Sequence, residues 1–128
     1  MQYEYFYGAQ AEQFSFYRIP KALFTEPNFR ELSTDAKVLY GILLDRMSLS
    51  LKNRWLDAQN KVYIIFTVEE IMDALNCANQ KATRLMVELE KQAGLIERKR
   101  QGLGRPNLIY VKNFAATIND KSCEKGDS

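Results

Sequence analysis

Residues 80–107 restrict the fold more than any other part of the chain, because a helical pattern is followed directly by a basic hairpin pattern. An amphipathic helix is predicted first, and residues 93–96 lead out of it. A basic strand at residues 97–100, a glycine-rich tip at 102–106 and a return strand at 108–111 follow. This order is typical of the second half of a winged helix-turn-helix.

Basic residues are concentrated in the same part of the chain. Residues 79–107 contain seven of the 18 Lys and Arg residues but only three of the 16 Asp and Glu residues. The seven bases are Lys81, Arg84, Lys91, Arg98, Lys99, Arg100 and Arg105. The net charge of +2 therefore hides a strongly basic segment, which predicts a surface that faces a polyanion.

Composition excludes several classes of protein. The chain has no histidine, so it lacks the commonest general base and the commonest metal ligand. Its cysteines, Cys77 and Cys123, lack the spacing of a zinc site, and we expect free thiols in a reducing cytoplasm, with Cys77 half-buried in a turn. No apolar run of about 18 residues predicts a membrane span. We predict a cytoplasmic, non-enzymatic protein without metal or cofactor.

The predicted fold class is α+β, a winged helix-turn-helix with a small antiparallel sheet and an aromatic N-terminal arm. We expect the arm at residues 1–17, the winged-helix domain at 18–114, and a flexible tail or the start of a linker at 115–128. The arm carries seven of the chain's 15 aromatic residues. It either folds over its own domain or packs on a second subunit to build a dimer.

Local signals predict the helices. Pro20 is expected at a first helical position, Ser33 as the cap of the longest helix, and Gly41 as a point of close approach by a neighbour. Residues 54–66 predict a hairpin around a polar turn. Thr67 begins a capping box, and the helix after it is expected to end near residue 75, before a turn and a second helix. The apolar face of that second helix comprises Ala82, Leu85, Met86 and Leu89.

In this arrangement the second helix normally enters the major groove of double-stranded DNA. Arg84 has the planar fork that matches guanine, while Asn79 and Gln80 can bond adenine or a phosphate. Lys81 and Thr83 are expected to contact the DNA backbone. For each of these five residues the alternative is a solvated surface position. Glu88 is expected to be solvated or ion-paired and not to read a base.

The hairpin predicts a rigid basic wing that reaches the minor groove. Gly102 and Gly104 permit positive φ, and a proline stiffens the turn. The predicted wing contacts are Lys99, Arg100, Gln101, Gly102, Gly104, Arg105 and Asn107. A plain surface hairpin, whose charges only confer solubility, is the alternative.

Several separate blocks between residues 16 and 114 resemble the N-terminal domain of the RepA-type plasmid replication initiators of Gram-positive bacteria. They are residues 16–24, 32–46, 55–57, 63–67, 94–97, 102–107 and 109–111. The resemblance implies a winged-helix domain that binds repeated sites in a plasmid origin, usually as a dimer. It also implies a linker and a C-terminal domain that engages host replication proteins. Relatives are expected to have a hydroxyl residue at Ala78, so Asn79 is expected to cap the helix instead.

Three readings of the function remain open at this point. The first is origin binding by a homodimer, or by two dimers that bridge two DNA segments. The second is a transcriptional repressor with the same fold, which reads DNA in the same way. The third is a winged helix that binds proteins only, which the basic wing argues against.

Overall fold

The fold is known from a computed structural model, which describes residues 2–8 and 13–115. Helix α1 spans Ala22–Thr25, α2 spans Thr34–Asn53, α3 spans Val68–Leu75 and α4 spans Asn79–Val87. Strands β1 (Ile96–Lys99) and β2 (Leu108–Val111) follow. A 3₁₀ turn at Pro27–Phe29 lies between α1 and α2, and a π turn at Glu88–Gln92 extends α4. The α+β winged helix-turn-helix is present as predicted.

Helix α2 is the central support of the domain. The Ser33 hydroxyl accepts a hydrogen bond from the Ala36 amide at 3.1 Å, which confirms the predicted cap. Gly41 confirms the predicted close approach, because a Cβ there would lie 2.8 Å from Ile19 Cγ1 and 3.0 Å from the Arg18 carbonyl oxygen. The segment that follows the arm is therefore laid directly against the helix backbone.

Two predictions before α3 need correction. Helix α1 begins at Ala22 with Lys21 as its N-cap, so Pro20 lies outside the helix. The Pro20 carbonyl oxygen still accepts a hydrogen bond from the Leu23 amide at 3.2 Å. The hairpin at residues 54–66 forms, but its pairing is limited to a single bridge between Leu56 and Val62. The Asp57 carboxylate accepts hydrogen bonds from the Gln59 and Lys61 amides in the turn. Side-chain hydrogen bonds thus replace part of the backbone hydrogen bonding between the two strands.

Helices α3 and α4 form the predicted helix-turn-helix. Thr67 and Glu70 make the complete capping box at the start of α3, and the helix ends at Leu75 as expected. Helix α4 begins after Ala78, which makes no side-chain capping bond. Asn79 is already the first helical residue, so the expectation that it caps the helix is wrong. The free Cys77 is half-buried in the turn, as predicted, whereas Cys123 lies outside the described residues.

The wing strands pair antiparallel, with Ile96 opposite Val111 and Arg98 opposite Ile109. Ile109 also pairs with Ile64 on its other side, so the residue-64 segment adds a third, bridge-length strand to the sheet. The core combines α2, α3, α4 and the inner face of this sheet, and Leu39, Leu85 and Ile109 are at most 1% exposed. No helix among residues 2–8 and 13–115 is long and apolar enough to span a bilayer.

The arm keeps most of its aromatic surface exposed. Each of its seven aromatic residues is between 52% and 83% exposed, so this conformation does not fold the arm down over its own domain. Edge-to-face contacts join Phe6 to Phe14 at 6.0 Å and Phe14 to Phe16 at 6.3 Å between ring centroids. These rings therefore pack mainly on one another. The tail predicted at 115–128 lies outside the described residues except for Ala115.

Candidate nucleic-acid interface

Helix α4 separates its apolar and polar residues onto two faces. Ala82, Leu85 and Met86 are buried, as the helical period predicted. Asn79, Gln80, Thr83 and Arg84 are all exposed on the other face. Arg84 has no ion-pair partner among the described residues, so its guanidinium fork is available to a ligand. Thr83 Oγ1 lies 3.5 Å from Asn79 Oδ1, one helical turn away.

Lys81 differs from its neighbours on the helix. Its side chain is about half exposed, and its Nζ lies 2.7 Å from Asp35 Oδ2 in the first turn of α2. The ion pair partly neutralises the charge that a phosphate would need. A phosphate at this position would compete with Asp35 for the Lys81 ammonium group.

The wing tip is stabilised by its own contacts. Gly102 and Gly104 have φ values of 120° and 76°, a region that glycine adopts without strain, as predicted. Gln101 Nε2 donates to the Pro106 carbonyl oxygen at 2.8 Å, so this side chain closes the loop. The Arg105 amide donates to the Gly102 carbonyl oxygen at 3.3 Å. Arg100 and Arg105 project from this braced loop as exposed bases.

The wing tip and the start of α4 meet at one crevice of about 410 Å³. Asn79 lines it from α4, Arg105 and Asn107 line it from the wing, and Thr67 and Val68 line it from the start of α3. Three of the sequence-predicted contact residues are therefore brought together by the fold.

Lys99 does not join this group. Alternation along β1 turns Ile96 and Arg98 inward and Glu97 and Lys99 outward. Lys99 lines a separate depression on the outer sheet face together with Asp57, Glu97 and other residues. Hydrogen bonds from the backbone amides of Lys61 and Gln59 lower the pKa of Asp57, so that carboxylate stays ionised. The outer face mixes both signs of charge and suits a polyanion less well than the crevice does.

Comparison with known proteins places this chain in a family. The family model described as "Replication initiator protein A (RepA) N-terminus" matches residues 15–125. The chain belongs to this family. It is also 32% identical over 103 residues to a 41 kDa protein of Lactobacillus helveticus, a match that covers 80% of this chain. The chain spans only 28% of that relative's length.

Solved structures resemble this replication-initiator domain along nearly its whole length. One described as "N-Terminal domain of DNA binding protein" is 36% identical with a TM-score of 0.73, and covers 99% of this chain and 98% of its own. One described as "Structure of Rep-DNA complex" is 36% identical with a TM-score of 0.72, and covers 98% of each chain. A third, "Structure of MDR initiator", is 38% identical with a TM-score of 0.68, and covers 93% of this chain and 98% of its own.

Two carboxylates of this initiator domain act in ways that the sequence did not reveal. Glu88 was expected to be solvated or ion-paired, but it is 8% exposed and accepts hydrogen bonds from the Ser33 amide and hydroxyl. Glu90 pairs with Arg98, with Oε1 at 2.8 Å from the arginine Nη2. Arg98 was counted within the basic wing cluster, yet its charge is matched inside the protein. Ser33 lies 55 positions from Glu88, so that contact leaves no local signal in the sequence.

Proposed function

We propose that this domain binds double-stranded DNA sequence-specifically at repeated sites of a plasmid replication origin. The observation that carries the proposal is the shared crevice, where Asn79 of α4 meets Arg105 and Asn107 of the wing. Arg84 on the helix and Arg100 on the wing tip are exposed bases without ion-pair partners among the described residues. The similarity to a Rep-DNA complex supports the same function.

In the proposed complex, α4 lies in the major groove and the wing follows the adjacent backbone into the minor groove. Arg84 reads guanine, and Asn79 and Gln80 bond adenine or a phosphate. Lys81 and Thr83 contact the backbone. The wing contributes Lys99, Arg100, Gln101, Gly102, Gly104, Arg105 and Asn107. Within this set Arg105 and Asn107 are closest to the helix, and Lys99 meets only DNA that extends beyond the outer sheet face.

Salt dependence of binding tests the electrostatic part of this proposal. If about five phosphates are neutralised, log affinity should fall against log salt with a slope of about −4.5. Arg105→Ala should make the slope shallower by about 0.9 because one phosphate contact is lost. Fluorescence anisotropy on a labelled duplex, repeated over a series of salt concentrations, measures both slopes.

Arg30→Ala is the matched control, because Arg30 is an exposed arginine that lies after the 3₁₀ turn, outside α4 and the wing. Its slope should equal that of the unsubstituted chain. An unchanged slope for Arg105→Ala would contradict the wing contact. Binding without measurable salt dependence would favour the protein-interaction winged helix over a DNA-binding domain.

Footprinting on the plasmid that encodes the chain tests the origin-binding proposal. Protection of tandem repeats supports it and gives the site spacing directly. A transcriptional repressor would instead protect a promoter, and the plasmid would be maintained normally after the gene is deleted. In full-length relatives, a C-terminal domain would recruit host replication proteins to the bound origin.

The exposed arm leads us to propose that the functional unit is a homodimer. Phe14, Phe16 and Tyr17 are each more than half exposed, and burying such ring surface against a second copy is favourable. A variant that lacks residues 1–17 should sediment as a monomer, whereas the intact chain should sediment as a dimer. A truncated variant that still sediments as a dimer would exclude the arm as the dimer contact. Light scattering at rising concentration would reveal whether dimers pair to bridge two DNA segments.

A further inference from the structure

The π turn at the end of α4 sends two carboxylates to two different elements. The Ala93 amide donates to the Glu88 carbonyl oxygen at 3.1 Å, the five-residue bond that defines this turn. Glu88 accepts from Ser33 at the start of α2, whereas Glu90 reaches β1. The C-terminal end of α4 is thus joined to the core helix and to the wing at the same place.

The Glu90 carboxylate accepts three hydrogen bonds from Arg98. One carboxylate oxygen accepts from Arg98 Nε at 2.9 Å and Nη2 at 2.8 Å, and the other accepts from the Arg98 backbone amide at 3.1 Å. Two guanidinium N–H groups thus converge on one oxygen, and charge-assisted hydrogen bonds of this kind are stronger than neutral ones. Glu90 and Arg98 are only 16% and 25% exposed at their side chains, so solvent screens the pair weakly.

The backbone bond to Arg98 closes the free edge of the wing. Ile109 uses both its amide and its carbonyl on Ile64, on the far side of β2. Arg98 stands opposite Ile109, so its own amide points away from β2 to the unpaired edge of β1. Glu90 accepts that amide. The wing sheet is therefore held at both edges, by the residue-64 segment on one side and by the π turn that extends α4 on the other.

Burial alone would raise the pKa of Glu90, but the hydrogen bonds and charge of Arg98 outweigh it and lower that pKa. Glu90 is consequently ionised at neutral pH, as the fork requires. The wing tip beyond it is braced by Gln101 and Pro106, so a change of angle at the strand base would carry the whole tip with it.

We propose that Glu90 and Arg98 are positioning residues that fix the wing relative to α4, so that both contact one duplex at the same time. In this proposal, which rests on the proposed function, the pair acts by holding the wing in position. Arg98 also lines the crevice, with its guanidinium bonded to Glu90. Without the pair, the helix would still dock, but the tip would no longer be held beside it. The conformational entropy lost when the wing tip becomes ordered would then reduce the free energy of DNA binding.

A double-substitution experiment separates positioning from ordinary stabilisation. In the unsubstituted chain, Arg105→Ala should weaken duplex binding about fivefold at 0.15 M salt, the effect of one phosphate contact. In a Glu90→Ala background the same substitution should cost less than about twofold, because the tip is no longer placed on the backbone. If Glu90→Ala only lowered the fraction of folded protein, the affinities measured with and without Arg105→Ala would fall by the same factor. The fivefold ratio between them would then be unchanged.

Arg98→Lys keeps the charge and the backbone amide but removes the fork, so it should reduce the Arg105→Ala effect in the same direction. Glu97→Ala is the matched control, because this exposed glutamate lies on the same strand and points to the outer face. It should leave the fivefold ratio intact. A fivefold effect of Arg105→Ala that persists in the Glu90→Ala background overturns the proposal.

Hydrogen exchange in the absence of DNA gives an independent measurement. The Arg98 amide should be protected in the unsubstituted chain and should exchange at least about tenfold faster in Glu90→Ala, since its acceptor is gone. An unchanged exchange rate also overturns the proposal. Failure of the proposed function would give a different result. The Arg98 amide would be protected in the unsubstituted chain and exposed to exchange in Glu90→Ala, but neither chain would bind a duplex.

Discussion

Leu85→Ala is expected to lower the free energy of unfolding by about 2–5 kcal/mol, the largest effect of any single substitution considered for this domain. Leu85 is 0% exposed and lies on the inner face of α4, where that helix packs against α2 and α3. Truncation removes buried methyl groups and leaves a cavity that rigid neighbours cannot fill completely. Urea denaturation followed by circular dichroism measures the change.

Val87→Ala is the control on the same helix, because Val87 is 40% exposed. It should change the free energy of unfolding by no more than about 0.5 kcal/mol. Equal losses for the two variants would mean that α4 is not packed by the face described above. Because folding and the proposed docking use opposite faces of α4, Leu85→Ala should weaken binding only through the fraction of folded chains.

Local sequence signals predicted much of the fold. The caps at Ser33 and Thr67 are short-range hydrogen bonds, so the residues that make them are close in sequence and recognisable. The helical period identified the buried face of α4, and alternation with glycine identified the wing strands and their turn. Each of these features is decided within a few residues.

Features decided by distant partners were not predicted. Glu88 bonds Ser33 across 55 positions, and no pattern near either residue indicates the contact. The π turn arises where α4 must satisfy α2 and the wing together, which is a tertiary requirement. The inward direction of Arg98 was recoverable, since alternation from the apolar Ile96 places both side chains on one face.

The sequence likewise predicted only part of the candidate site. The helical period identifies Arg84 as an exposed candidate, and the glycine-rich turn pattern places Arg105 at the exposed wing tip. They do not give the distance between α4 and the wing, which depends on how the sheet packs against the helices. That packing groups Asn79 with Arg105 and Asn107, and it assigns Lys99 to the opposite sheet face.

Arg84→Ala is expected to weaken binding to the specific duplex by about 1–3 kcal/mol and to relax the preference for one base. The guanidinium is exposed on the docking face and has no ion-pair partner among the described residues, so its removal leaves the fold intact. Anisotropy titrations on the footprinted site, a variant with the guanine replaced, and a random duplex separate the two contributions.

Lys91→Ala supplies the comparison, because Lys91 is an exposed base near the end of the same helix and has no assigned role in reading bases. Its effect should be small and equal on all three duplexes. For Arg84→Ala, the loss should be largest on the specific site and should nearly vanish where the guanine is already replaced. Equal losses on specific and random duplexes would reassign Arg84 to a phosphate contact, and sequence discrimination would then have to come from Asn79, Gln80 or the shape of the minor groove read by the wing.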